Sequence, residues 1–153
     1  MALEEEKDSI ERKGHDGATV LLDGGWQKRG SGQNYNSLSG HVTIIGSETK
    51  KCVGFGVAKK SCRICKSSEK KGKLPTKHSC RRNYNGSSKG MESFLAVRGI
   101  KHLKNQGLKV KTVVMDDDST TYSRIKKAFT DDLEKCSDKN HVAKNFTNEL
   151  DKR

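Results

Sequence analysis

The sequence has no run of about 18 apolar residues, so nothing in it reads as a membrane-spanning helix. Its start, MALEEEKDSIERKG, lacks the apolar stretch of a secretory leader, which argues against secretion. Hydrophobic residues are only 31% and aromatics 5% of the 153, against roughly 45–50% apolar in ordinary globular chains. So lean a core makes a self-sufficient enzyme of this length unusual, and the length allows one domain with at most a small insertion. Acids are scarce too: 19 Asp and Glu face 31 Lys and Arg, a net charge of +12. Five cysteines, an odd count without a secretion signal, favour thiols or a metal site over a disulfide framework.

The positive charge is concentrated. Residues 50–110 hold 17 Lys and Arg against 2 acids, a net of +15, which leaves −3 for the remainder. Such a block suits a polyanion, nucleic acid being the commonest. The alternative is a solvated or disordered basic stretch.

Along the chain, residues 1–17 alternate in charge with little to bury and read as a flexible lead-in. Residues 18–22 (ATVLL) form a short apolar run closed by Asp23-Gly24-Gly25, a buried strand with a carboxylate at its tip. Gly30 to Gly40 is loop. HVTIIG (41–46) and CVGFGVA (52–58) are two further strands, completing an antiparallel meander. From Lys59 to Arg82 the periodicity disappears, as in an insertion held by something other than apolar packing. Ser87 and Ser88 then open a helix with Met91, Phe94, Leu95 and Leu103 on one stripe, ending near Gly107. VKTVVM (110–115) is a strand ending in Asp116-Asp117-Asp118. A helix bearing Tyr122, Ile125 and Phe129, a short strand near 133–136, and a last helix with Val142, Phe146 and Leu150 complete the order.

That order, βββ-insertion-αβαβα, is the order of a ribonuclease-H-like α/β fold with a mixed sheet, in which the first and fourth strands are neighbours. Asp23 and Asp116 would then come together from 93 positions apart. Two such carboxylates repel unless a cation lies between them, and Mg²⁺ suits oxygen ligands of this kind. Asp is equally at home in turns and caps, so spacing alone leaves both readings open.

The insertion supplies a second constellation: Cys62-x-x-Cys65, then His78-x-Cys80. Three thiolates and an imidazole are a donor set for structural, tetrahedral Zn²⁺. The Lys-, Ser- and Gly-rich segment between them has no core, so a metal would supply the missing stability. Cys52 and Cys136 are left as half-buried thiols.

LLDGGWQKRG (21–30), NYNGSSKGME (83–92) and MDDDSTTYSRI (115–125) resemble, in order, three motifs of the Mutator-like transposase domain. The resemblance runs from about Val20 to the end of the chain. It implies a ribonuclease-H-like DDE/D core that cuts and joins DNA in the nucleus with Mg²⁺ or Mn²⁺, working as a homo-oligomer. By the match, Asp23 is the first catalytic acid and Asp116 or Asp118 the second, Asp117 standing where the family has Gly. SDKNH (137–141) resembles a [CD]-x-x-H element, with Asp138 and His141 as the pair.

Next to the first acid, Lys28 and Arg29 are read as phosphate contacts. Trp26 is read either as a base-stacking platform or as a core anchor. Arg81 and Arg82, closing the insertion, are further candidates for nucleic-acid contact. A third catalytic carboxylate is not evident: past His141 the acids are Glu149 and Asp151, whereas the family carries its Glu far downstream. The chain is therefore expected to be a C-terminally truncated piece, either an enzyme core or a zinc-stabilised DNA-binding remnant.

Overall fold

The computed structural model describes residues 1–27, 37–116, 119–129 and 133–138. Helix α1 spans Ala2–Arg12, strands β1 Ala18–Trp26, β2 Ser39–Gly46 and β3 Cys52–Lys59, and helix α2 Arg63–Lys70. A 3₁₀ turn at Ser88–Gly90 leads into α3, Met91–Asn105, followed by β4 Val110–Met115, α4 Ser119–Ala128 and β5 Glu134–Ser137. The strands form one five-stranded mixed sheet in the order β3-β2-β1-β4-β5. β1, β2 and β3 are the expected antiparallel meander, while β4 and β5 run parallel to β1. The first and fourth strands are indeed neighbours. The expected last helix, with Val142, Phe146 and Leu150, falls outside the described residues.

Alternation along the meander sorts its two faces. Val42 and Ile44 are buried, whereas His41 between sheet neighbours is exposed. The buried face receives α3, and glycines make room for it. A Cβ on Gly56 would stand 3.2 Å from a Leu95 methyl, and one on Gly99 of α3 would stand 2.5 Å from Ile44 Cδ1. Met91, Ile100 and Leu103 are fully enclosed there, each contributing roughly 1.5–3 kcal/mol by leaving water. α4 joins the same core through Ile125 and Phe129. The helix α3 ends as expected at Gly107, whose φ of +84° lets Leu108 N–H return to the Leu103 carbonyl at 3.0 Å.

Three local expectations are corrected. Residues 1–17 are not an unpacked lead-in, because Glu6 of α1 is fully buried and ties the helix to the β2–β3 turn. Its carboxylate accepts from the amides of Glu48 at 3.1 Å and Thr49 at 2.8 Å, and from the Thr49 hydroxyl at 2.6 Å. Within the aperiodic insertion, 63–70 forms helix α2 although it buries no residue. Asp23 is not at the tip of β1 but inside it, opposite Thr43 of β2, because antiparallel pairing with β2 continues to Trp26. The parallel pairing with β4 does stop earlier, at Leu21↔Val114.

Candidate metal centres

The insertion brings its four predicted ligands together. One donor atom from each of Cys62, Cys65, His78 and Cys80 lies within 4.8 Å of the others. His78 Nε2 is 3.3 Å from Cys62 Sγ and 3.4 Å from Cys65 Sγ, and the Cys65 and Cys80 sulfurs are 3.6 Å apart. Four donors around a tetrahedral ion with Zn–S bonds of about 2.3 Å stand about 3.8 Å apart, so the set fits zinc. His78 Nδ1 is 2.7 Å from the Thr76 carbonyl, a bond that turns Nε2 toward the sulfurs.

Charge follows the geometry. Cys62 opens α2, and backbone N–H donation, first from Cys65, together with His78 lowers its thiol to about 6. Cys65 is pushed up to about 11 by its bond with Cys80 and by burial, its neighbours leaving a second thiolate unfavourable. His78 is raised to about 9, mainly by the Thr76 carbonyl and then by the thiols. Without a cation, this corner is thus a thiolate–imidazolium pair with a protonated Cys65. A divalent soft cation replaces those protons. The two remaining cysteines are exposed rather than half-buried: Cys52 lies at the start of outer strand β3, and Cys136 on outer strand β5.

Strand register sets out a second group of acids. Val114 pairs with Leu21 on one side and with Cys136 on the other. Two residues further along the three parallel strands are Asp116, Asp23 and Asp138. Asp138 N–H donates to the Met115 carbonyl at 3.2 Å, carrying the β4–β5 alignment one step past Ser137. Asp23 and Asp116 are exposed and Asp138 half-exposed. Carboxylates along the C-terminal ends of parallel strands are where an open α/β sheet receives ligands.

Glu92, in the first turn of α3, also lies near this edge. Its carboxyl carbon is 2.7 Å from where a Cβ of Gly24 would stand, on the α3 side of β1. Trp26 is half-buried, its indole N–H donating to the Ser88 carbonyl at 3.1 Å, so it anchors the end of β1 to the turn before α3. Arg81 and Arg82 are exposed beside the Cys/His corner. Lys28, Arg29, Asp118, His141 and Glu149 lie outside the described residues.

Among the described residues, Cys62, Cys65, His78 and Cys80 are the group whose donor atoms converge as a metal would need, and they sit on a basic chain with acids along one edge of its mixed sheet. The Mutator-like transposase family model matches residues 1–153, and the chain belongs to that family. Nothing among curated proteins or solved structures matches it. The match includes α1, which the motif resemblance had not reached. Among the described residues, no helix is long and apolar enough to cross a membrane.

Proposed function

We propose that the chain forms a DNA-cleaving and strand-joining core of ribonuclease-H-like type, with residues 59–82 as a zinc-stabilised basic arm. The observation that supports this reading is that Leu21, Val114 and Cys136 are paired across β1, β4 and β5, and Asp23, Asp116 and Asp138 each come two residues later. Those three carboxylates offer the oxygen-only ligands that Mg²⁺ or Mn²⁺ prefers, with water and DNA phosphate completing the shell. Bound there, the metal would activate the attacking water or 3′-hydroxyl and stabilise the leaving oxygen. The chain's own part is to hold Asp23 within β1 and Asp116 and Asp138 just past β4 and β5, and to hold phosphates with the basic block at 50–110.

The DNA-binding-remnant reading rests on the lack of a third carboxylate, and Asp138, just past β5, is the acid proposed for that place. Chromosomal DNA as substrate makes the nucleus its place of action, and strand transfer at two element ends favours a homo-oligomer. The test is nicking of supercoiled plasmid by the zinc-loaded chain with Mg²⁺ or Mn²⁺. Metal-dependent nicking, abolished by Asp23→Ala, is expected. DNA binding without nicking would instead leave a binding module.

A further inference from the structure

The face of the meander turned away from α3 carries a feature that neither metal centre uses. Asp23, Thr43 and Phe55 are cross-strand partners in one row, and Gly25, His41 and Val57 form the next. Gly54 and Gly56 face Ile44 and Leu95, so Phe55 between them projects from the opposite face. Phe55 is 64% exposed, and the other described Phe, Tyr and Trp side chains are half-buried or buried. The His41 ring lies 6.1 Å from it, tilted by 31°. His41 also leans across β1, its Cε1 2.5 Å from where a Cβ of Gly25 would stand. The two rings border an open cleft of about 340 Å³ floored by Thr43 and Val57 and reaching Trp26. That volume is at the lower end for clefts that hold small ligands (about 300–1,000 Å³).

What surrounds the rings indicates the occupant. Across the sheet, Phe55 is two strand spacings from Asp23, about 10 Å. Along β3, Lys59 follows on the same face two positions after Val57, and shares a second cleft with Val57 and Arg81. One face therefore presents a carboxylate edge, a pair of exposed rings and then cations. Phe55, Val57, Lys59 and Arg81 belong to the 50–110 segment of net charge +15. Apolar rings flanked by cations match an unpaired nucleotide, whose base offers a π-face and whose phosphate offers charge. A protein partner would meet the same rings, but the basic surround favours a polyanion.

We propose that Phe55 and His41 form a stacking platform for an unpaired base, leading a single strand from Lys59 and Arg81 toward the carboxylate edge. This rests on the DNA reading above, which the test separates from it. The zinc-loaded chain is titrated with a labelled single-stranded oligonucleotide and with a duplex of the same length, by fluorescence anisotropy. Emission of Trp26, which lines the cleft, is followed in parallel. Single strand is expected to quench Trp26. Phe55→Ala is expected to weaken single-strand binding about 5- to 100-fold, with duplex affinity and zinc content unchanged, and Phe55→Tyr to restore it.

Unchanged single-strand affinity in Phe55→Ala, or an equal loss on both DNA forms, overturns the platform and leaves the DNA reading standing. A wild-type chain that binds neither form at low salt overturns the DNA reading itself. If Phe55→Ala abolishes self-association in sedimentation while single-strand affinity holds, the face belongs to a second copy and the platform is wrong.

Discussion

Asp138 stands beside Asp116 because its amide donates to the carbonyl of Met115, the residue immediately before Asp116, at 3.2 Å. A backbone bond of this kind fixes where the carboxylate leaves the chain without using the carboxylate itself. On the other side of β4, parallel pairing with β1 runs to Leu21↔Val114, two residues before Asp23 and Asp116. Main-chain pairing thus sets Asp116 and Asp138 side by side and leaves Asp23 two residues past the last pair of β1 with β4.

If this edge holds a cation, each acid matters in proportion to the ligands it supplies. Wild-type chain should bind Mn²⁺ with an electron paramagnetic resonance signal that falls as free ion is taken up. Asp23→Asn and Asp138→Asn should each weaken that uptake about 10- to 100-fold while circular dichroism is unchanged. Full Mn²⁺ uptake by Asp138→Asn would remove Asp138 from the site and return attention to acids outside the described residues.

The Cys/His corner makes a prediction about protons. Near pH 7.5, Cys65 at about 11 and His78 at about 9 both carry a proton, whereas Cys62 at about 6 is already ionised. Zinc needs the thiolate and the neutral imidazole, so its uptake should release at least two protons. As pH rises through 9, the His78 contribution should disappear and apparent zinc affinity should rise. Calorimetry of zinc binding in buffers of differing ionisation enthalpy gives the count directly. Cys62→Ser should lower the zinc content well below one per chain.

α1 provides a test of stability away from both centres. Glu6 is buried and its two carboxylate oxygens accept three hydrogen bonds from the turn at Glu48-Thr49. Removing a charged acceptor strands those donors, so Glu6→Ala should cost about 2–3 kcal/mol in urea unfolding. Zinc content should be unaffected. A cost below about 0.5 kcal/mol would mean that α1 adds little to the fold.

These features differ in how far the sequence revealed them. Cys62, Cys65, His78 and Cys80 are close in the chain, so ligand spacing was enough to group them. The neighbouring β1 and β4 followed from element order. The extent of β1 did not follow. Apolar content stops at Leu22, but pairing with β2 through Gly24 and Gly25 depends on backbone bonds that leave no hydrophobic trace. α1 was hidden for a related reason: its anchor is a carboxylate bonded to backbone some 40 residues away, and buried Glu has no periodic signature. Phe55 was read only as part of an alternating strand. The glycines on either side carried the missing information, since they assign the small side to α3 and the large one to the open face.

The basic arm gives the last expectation. Arg81 and Arg82 are exposed where the insertion returns to the sheet, and Arg81 borders the cleft that holds Lys59. Each phosphate neutralised on duplex DNA contributes about −0.9 to the slope of log affinity against log salt. If both arginines touch phosphate, the double variant Arg81→Ala with Arg82→Ala should flatten that slope by about 1.8. It should also weaken binding more at 50 mM than at 200 mM salt. Neutralising Lys101, exposed on the outer side of α3, tests whether any positive charge would do as well. If Lys101→Ala changes the slope as much as one of the arginines does, the charge acts diffusely and the arm is not the phosphate-binding element. A slope altered only by the arginines assigns that role to residues 59–82, and so links the zinc corner to DNA through the cations it holds in place.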